Sequence, residues 1–117
     1  MGKFYITTSV PYVNAAPHVG HALELIQADV LARYHRYKGD DVFFLTGADE
    51  HGVKIVRAAE AAGKTPRDFT NSIAKKFKDL KKVLNLSWDD FIRTSDKRKH
   101  WPGAQKLWLK LYDAGKL

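Results

Sequence analysis

Pro11-Tyr12-Val13-Asn14-Ala15-Ala16-Pro17-His18-Val19-Gly20-His21 separates two segments of opposite periodicity, and its reading decides the fold. Upstream, Phe4-Tyr5-Ile6-Thr7-Thr8-Ser9 is rich in β-branched and aromatic residues and reads as a strand. Downstream, from His18 to Lys38, Leu23, Ile26, Val30, Tyr34 and Tyr37 recur at spacings of three and four. That spacing aligns them on one helical face, with Gly39 as the C-terminal stop. Prolines at both ends of the connecting stretch make it a loop, so the motif is strand, loop, helix.

The remaining chain repeats this grammar. Val42-Phe43-Phe44-Leu45, between Asp40-Asp41 and Gly47, is a short apolar run consistent with a buried parallel strand. Gly52 to Ala62 reads as a short helix ending at Gly63. Thr65 is the N-cap of the next, with Pro66 at its first position and Asp68 three residues after the cap. Its buried stripe is predicted to be Phe69, Ile73, Phe77, Leu80 and Leu84. Phe91-Ile92-Arg93-Thr94 reads as a third strand. Ser95 or Asp96 is placed to cap a last helix running to Asp113, where Pro102-Gly103 predicts a kink or a delayed start. This element order implies an α/β fold with a parallel sheet and right-handed crossovers. Three strands make a thin sheet, so residues 1–117 are expected to be one part of a larger α/β domain.

Hydrophobic residues at 44% and charged residues at 28% describe an ordinary globular mixture. No apolar run approaches the ~20 residues of a membrane helix, and the N-terminus has no secretion-signal pattern. With no cysteine there is neither a disulfide nor a thiolate zinc site, and a cytoplasmic protein is expected. The net charge of +7 favours polyanionic partners such as nucleotides or RNA. The basic residues cluster late, at Lys75-Lys76, Lys78, Lys81-Lys82 and Lys97-Arg98-Lys99.

In open α/β sheets, ligands bind beyond the carboxyl ends of the strands, where loops enter helices. A helix N-terminus offers free N–H groups and partial positive charge, which suits phosphate. His18 and His21, three apart, can present donors from the first turn towards one point, and Gly20 removes a side chain between them. Such donors matter most when they meet charge that grows in a transition state. The loop Thr46-Gly47-Ala48-Asp49-Glu50-His51-Gly52 is expected at the same edge, its consecutive ionisable residues facing a ligand rather than the core. Asp49 suits a cationic group such as an α-amino group. A His-x-x-His pair also occurs on ordinary surfaces, and His18, His21, Asp49 and His51 include metal-ligand types, although the Pro-rich approach suits phosphate better.

Together these residues resemble the class I aminoacyl-tRNA synthetases, most closely the methionyl-tRNA synthetases. His18-Val19-Gly20-His21 looks like the class's HIGH signature, with Val in place of Ile. Thr7 to Asn14, Gln27 to Tyr34, Thr46 to Gly52 and Phe91 to Thr94 are similar to the methionine family's successive segments. The resemblance covers essentially the whole chain, and HxGH followed by Asp49-Glu50-His51-Gly52 is far more specific than HxGH alone. It implies a Rossmann-like (HUP-type) three-layer domain of which residues 1–117 are the N-terminal half. It implies ATP-dependent activation of methionine to methionyl-adenylate, with Mg2+, and transfer to tRNA. His18 and His21 would then be catalytic; His18, Gly20, His21 and Glu24 would bind ATP, and Val10, Tyr12 and Asp49 would bind methionine. No metal site is assigned to this chain. Zinc would belong to a cysteine-bearing insertion outside it, as would the lysine-containing KMSKS loop and the anticodon-binding helices to other regions. Two other readings are a different HxGH nucleotidyl transferase (or a synthetase for another aliphatic amino acid) and a non-catalytic RNA-binding module.

Overall fold

The computed structural model describes residues 1–117. The elements run β1 (Lys3–Thr7), α1 (Val19–Tyr37), β2 (Asp41–Ala48), α2 (Val53–Ala61), α3 (Pro66–Val83), β3 (Asp90–Arg93) and α4 (Trp101–Asp113). The three strands form one parallel sheet in the order β1-β2-β3. Ile6 lies opposite Phe44, and Gly47 opposite Ile92.

Strand alternation assigns the faces. Phe44, Thr46 and Ala48 are buried and share one face of β2, whereas Phe43 and, across the strand pair, Tyr5 are exposed on the other. Both crossovers cover the buried face. Ala48 packs with Ile55 and Ala59 of α2 and with Phe69, Ile73 and Phe77 of α3. Phe44 packs with Leu25, Ala28 and Ala32 of α1 and with Leu86 and Trp88. Leu80 and Phe91 touch both clusters, so the two form one layer over the sheet. The stripe predicted on α3 is therefore the inward one, with Leu80 and Leu84 partly buried at its end. Thr65 caps α3 as expected, its hydroxyl oxygen accepting from Asp68 N–H at 3.1 Å.

One face is now assigned, and three expectations change. The face of α1 carrying Leu23, Ile26, Val30, Tyr34 and Tyr37 is the exposed one, from 42% for Ile26 to 91% for Tyr37. Ala28 and Ala32 face the sheet instead, because small side chains let the helix approach closely. Strand β1 stops at Thr7, since the Thr8 hydroxyl is bound to that of Thr46 at 2.7 Å and Ser9 turns to Glu24. Strand β2 continues through Thr46-Gly47-Ala48, which the sequence reading assigned to a loop. A Cβ on Gly47 would lie 2.3 Å from the Ile92 carbonyl oxygen, so this glycine is a close-approach residue inside the sheet. Finally, neither Ser95 nor Asp96 caps α4, which starts late at Trp101 with Pro102 in its first turn. Asp96 instead accepts from the N–H groups of Arg98 and Lys99 in a preceding turn.

A buried carboxylate ties the layer together. Asp29 accepts from the N–H and hydroxyl of Ser87, both at 2.6 Å, and from Arg33 at 2.5 Å. Arg33 also donates to the carbonyl of Asn85, whose φ of 51° marks the tight turn after α3. No helix is long and apolar enough to cross a membrane.

Candidate active site

The loop after β1 delivers the chain to the N-terminus of α1 with His18 as N-cap in extended conformation, φ −122° and ψ 177°. Its Nδ1 accepts from Gly20 N–H at 3.1 Å, while His21 Nδ1 accepts from His18 N–H, also at 3.1 Å. The two histidines thus cap the helix reciprocally, as a Ser and Glu do in an ordinary capping box. Their rings lie 3.8 Å apart between centroids, and His21 also meets Phe77 edge-on at 5.1 Å. A nitrogen that accepts a hydrogen bond carries no proton, so the N–H of each neutral ring is on Nε2. Burial lowers the pKa of His21 and neighbouring His18 lowers it further, with Glu24 opposing.

This geometry revises the expected anion site. The N–H groups of Gly20 and His21 are already engaged, by His18 Nδ1 and the His18 carbonyl. The donors on offer are the imidazole Nε2–H groups rather than a row of free backbone amides. Gly20 has a second reason to be glycine: a Cβ there would sit 2.9 Å from His18 Cε1. The space beside it holds the capping ring.

Glu24, one turn along, binds the loop. Its two carboxylate oxygens accept from Ser9 N–H and the Ser9 hydroxyl, each at 2.7 Å. A cavity of about 10 Å³, the size of a single water, is lined by Thr8, Ser9, His21, Glu24 and Phe77 among others.

Asp49 follows directly on β2. An isolated parallel bridge joins it to Tyr12: Asp49 N–H donates to the Pro11 carbonyl at 2.9 Å and Val13 N–H to the Asp49 carbonyl at 3.1 Å. The bridge sets Tyr12 beside Asp49, and Val10 and Tyr12 are both exposed. The Asp49 carboxylate accepts from Thr94 Oγ1 and from His51 N–H, both at 3.3 Å. Thr94 Oγ1 in turn accepts from Glu50 N–H at 2.8 Å. Glu50 departs from the expectation that this acidic run faces a ligand. Its side chain is 1% exposed, paired with Arg93 at 2.5 Å and hydrogen-bonded to Ser95. Only His51, of the pair beyond Asp49, is exposed.

Ser9, Thr94 and the Glu50–Arg93 pair escaped the sequence reading. Their one signal was position, since each sits at or just past the carboxyl end of a strand. No group of three or more His, Asp or Glu side chains is placed to hold a metal ion, so His18, His21, Asp49 and His51 do not converge as ligands.

Residues 4–117 match the family described as tRNA synthetases class I (M). The chain is 50% identical over 113 residues to the methionine–tRNA ligase of Thermotoga maritima and 46% identical over 113 residues to that of Brucella suis. Each alignment covers 97% of this chain but 18% and 22% of those relatives, so the chain spans about a fifth of their length. Its fold superposes on Mycobacterium tuberculosis methionyl-tRNA synthetase in complex with methionyl-adenylate with a TM-score of 0.93 at 44% identity, covering 98% of this chain and 22% of that one. The chain belongs to the methionine branch of the class I tRNA synthetases.

Proposed function

We propose that this chain supplies the HxGH side of a methionine–tRNA ligase, acting in the cytoplasm as one unit over residues 1–117. The reaction joins methionine to ATP. A methionine carboxylate oxygen attacks the α-phosphorus, the bond from that phosphorus to the bridging oxygen of the β-phosphate breaks, and pyrophosphate leaves. The methionyl group then passes to the terminal adenosine of tRNA. No covalent bond to the protein forms, so catalysis rests on positioning and on stabilising charge.

The reciprocal histidine cap carries this reading, because it leaves two neutral, fixed Nε2–H donors at one helix end. His18 and His21 meet the phosphate oxygens as negative charge grows, and neutral rings donate without first losing charge to solvent. Gly20 keeps the helix start narrow enough for adenine, and Glu24, braced by Ser9, has lone pairs left for a ribose hydroxyl. Asp49 receives the methionine ammonium while Val10 and Tyr12 line the side-chain pocket, closed by elements outside this chain. Mg2+, carried by the nucleotide phosphates, would neutralise part of their charge; no cluster of His, Asp or Glu in this chain is placed to hold it.

A chimera tests this reading. Residues 4–117 replace the matching segment of the Thermotoga maritima ligase, and ATP–pyrophosphate exchange is measured with methionine, leucine, isoleucine and valine. Exchange dependent on methionine is expected. Exchange equally supported by another aliphatic amino acid, or lost with the chimera folded, would contradict it.

A further inference from the structure

The parallel register sets Arg93 opposite Ala48, so the next residues, Thr94 and Asp49, come side by side just past the ends of β3 and β2. Thr94 is tied at every polar atom it has. Its N–H donates to the Ala48 carbonyl at 3.2 Å, and its own carbonyl accepts from the Trp101 indole N–H at 3.0 Å. Its hydroxyl oxygen accepts from Glu50 N–H at 2.8 Å. That leaves the hydroxyl proton free to donate, and the acceptor it meets is Asp49 Oδ1, at 3.3 Å.

The N–H that points at Thr94 is itself fixed, because the Glu50 side chain is clamped. Arg93 Nε donates to Glu50 Oε1 at 2.7 Å, and the Ser95 hydroxyl donates to Oε2. Arg93 is anchored in turn, donating from Nη2 to Asn71 Oδ1 on α3 at 2.7 Å. Arg93, Thr94 and Ser95, successive in the chain, thus all bond to the Asp49-Glu50 segment. A buried ion pair is weak evidence for stability; what this one does is hold Glu50 N–H, and with it the Thr94 hydroxyl, in one direction. The two oxygens of Asp49 are then unequal. Oδ1 takes the bonds from Thr94 and His51 N–H, whereas Oδ2 takes none and Asp49 forms no ion pair. Both bonds are longer than the common range of about 2.7–3.2 Å, so they orient the carboxylate and leave its charge largely unscreened. Bonds of this kind shorten once a ligand is seated. A carboxylate anchored by one oxygen presents the other to a cation with less rotamer freedom to lose on binding.

We propose that Thr94 is a positioning residue for the substrate's α-ammonium group: its hydroxyl, aimed by the Glu50–Arg93 clamp, holds Asp49 Oδ1 so that Oδ2 faces the ammonium. The assignment rests on the ligase reading and adds to it a residue that never touches substrate. The test uses the chimeric ligase carrying residues 4–117 and methionine-dependent ATP–pyrophosphate exchange. Thr94→Val keeps the branched shape and removes the hydroxyl. KM for methionine should rise about tenfold, the scale of one hydrogen bond to a charged group. The kcat should fall less than about threefold, because the ammonium is held alike in ground and transition states. Two inhibitors separate this role from a general loss of structure. Methioninol, which keeps the amino group and lacks the carboxylate, should bind about tenfold more weakly, whereas 4-(methylthio)butanoate, which lacks the amino group, should change by less than about twofold. Thr94→Ser, which restores the hydroxyl, should return every constant to within about threefold of wild type. Equal weakening of the two inhibitors would overturn the proposal, as would an unchanged KM or a serine variant as impaired as the valine one. Circular dichroism checks folding, and Thr94→Ala replaces Thr94→Val if the latter is unfolded. Unfolding of both would also overturn the proposal, since the hydroxyl would then hold the fold rather than the carboxylate. A wild-type chimera without methionine-dependent exchange removes the ligase reading; exchange present with KM unchanged in Thr94→Val removes only the role of Thr94.

Discussion

His18 and His21 each accept a hydrogen bond through Nδ1, His18 from Gly20 N–H and His21 from His18 N–H, so the signature pair is also the helix cap. Under the proposed function, one feature serves both folding and chemistry. Nδ1 holds the backbone, and Nε2–H is left for the ligand.

Both rings should be the Nε2–H tautomer near neutral pH. Long-range 1H–15N correlation spectra of the imidazoles check this directly. Burial and then His18 lower the His21 pKa, so its midpoint should fall below the ordinary value of 6.5. Folding favours the neutral ring, so the His21 contribution to stability is fully present above that value. It is lost as pH falls through the lower, folded midpoint. A His21 midpoint above 6.5 would contradict the cap.

Asp29→Asn should destabilise the chain by about 2–4 kcal/mol in denaturant titrations, because Arg33 and two Ser87 donors lose an ionised, buried acceptor. Burial alone would raise the Asp29 pKa, but the hydrogen bonds from Ser87 and Arg33 outweigh it and hold the group below 3.8. The stabilisation is accordingly complete above that value and disappears as pH falls through the folded pKa. The gap between wild type and variant should close only in acid.

Two glycine substitutions should move in opposite directions. Gly47→Ala drives a Cβ into the Ile92 carbonyl and should cost about 2–3 kcal/mol, by the usual scale of overpacking. Gly103→Ala meets nothing within 4 Å in helix α4 and should stabilise by up to about 1 kcal/mol. Thermal melts of both decide whether the β2–β3 approach is as tight as described.

Much of this was legible in the sequence wherever local chemistry and tertiary packing agree. Thr65-Pro66 starts α3 where capping rules place it, and the stripe Phe69, Ile73 and Phe77 points inward because α3 covers the sheet. On α1 the two signals part. Its exposed apolar stripe faces outward, and Leu25, Ala28 and Ala32 make the sheet contact. Periodicity reports that a helix has faces but not which one a sheet will choose. The acidic loop misled for a related reason, since Glu50 is buried against Arg93, 43 residues away, and no local pattern announces that pairing. The proposed roles of His18, His21 and Asp49 rest on residue types and spacing that carry chemistry. Ser9 and Thr94 were not legible, because a hydroxyl at a strand end looks like any other until its partner is in place.

The most direct test separates the two nitrogens of His21. In the chimeric ligase, His21→Asn keeps an acceptor near the Nδ1 position and removes the Nε2–H donor. Folding stability should stay within about 1 kcal/mol of wild type, the usual scale of a cap. The kcat of methionine-dependent exchange should fall about 10²–10³-fold, as for loss of one oxyanion donor, while KM for methionine changes by less than about threefold. An unchanged kcat, or equal effects on kcat and KM, would contradict the assignment of His21 as a transition-state donor.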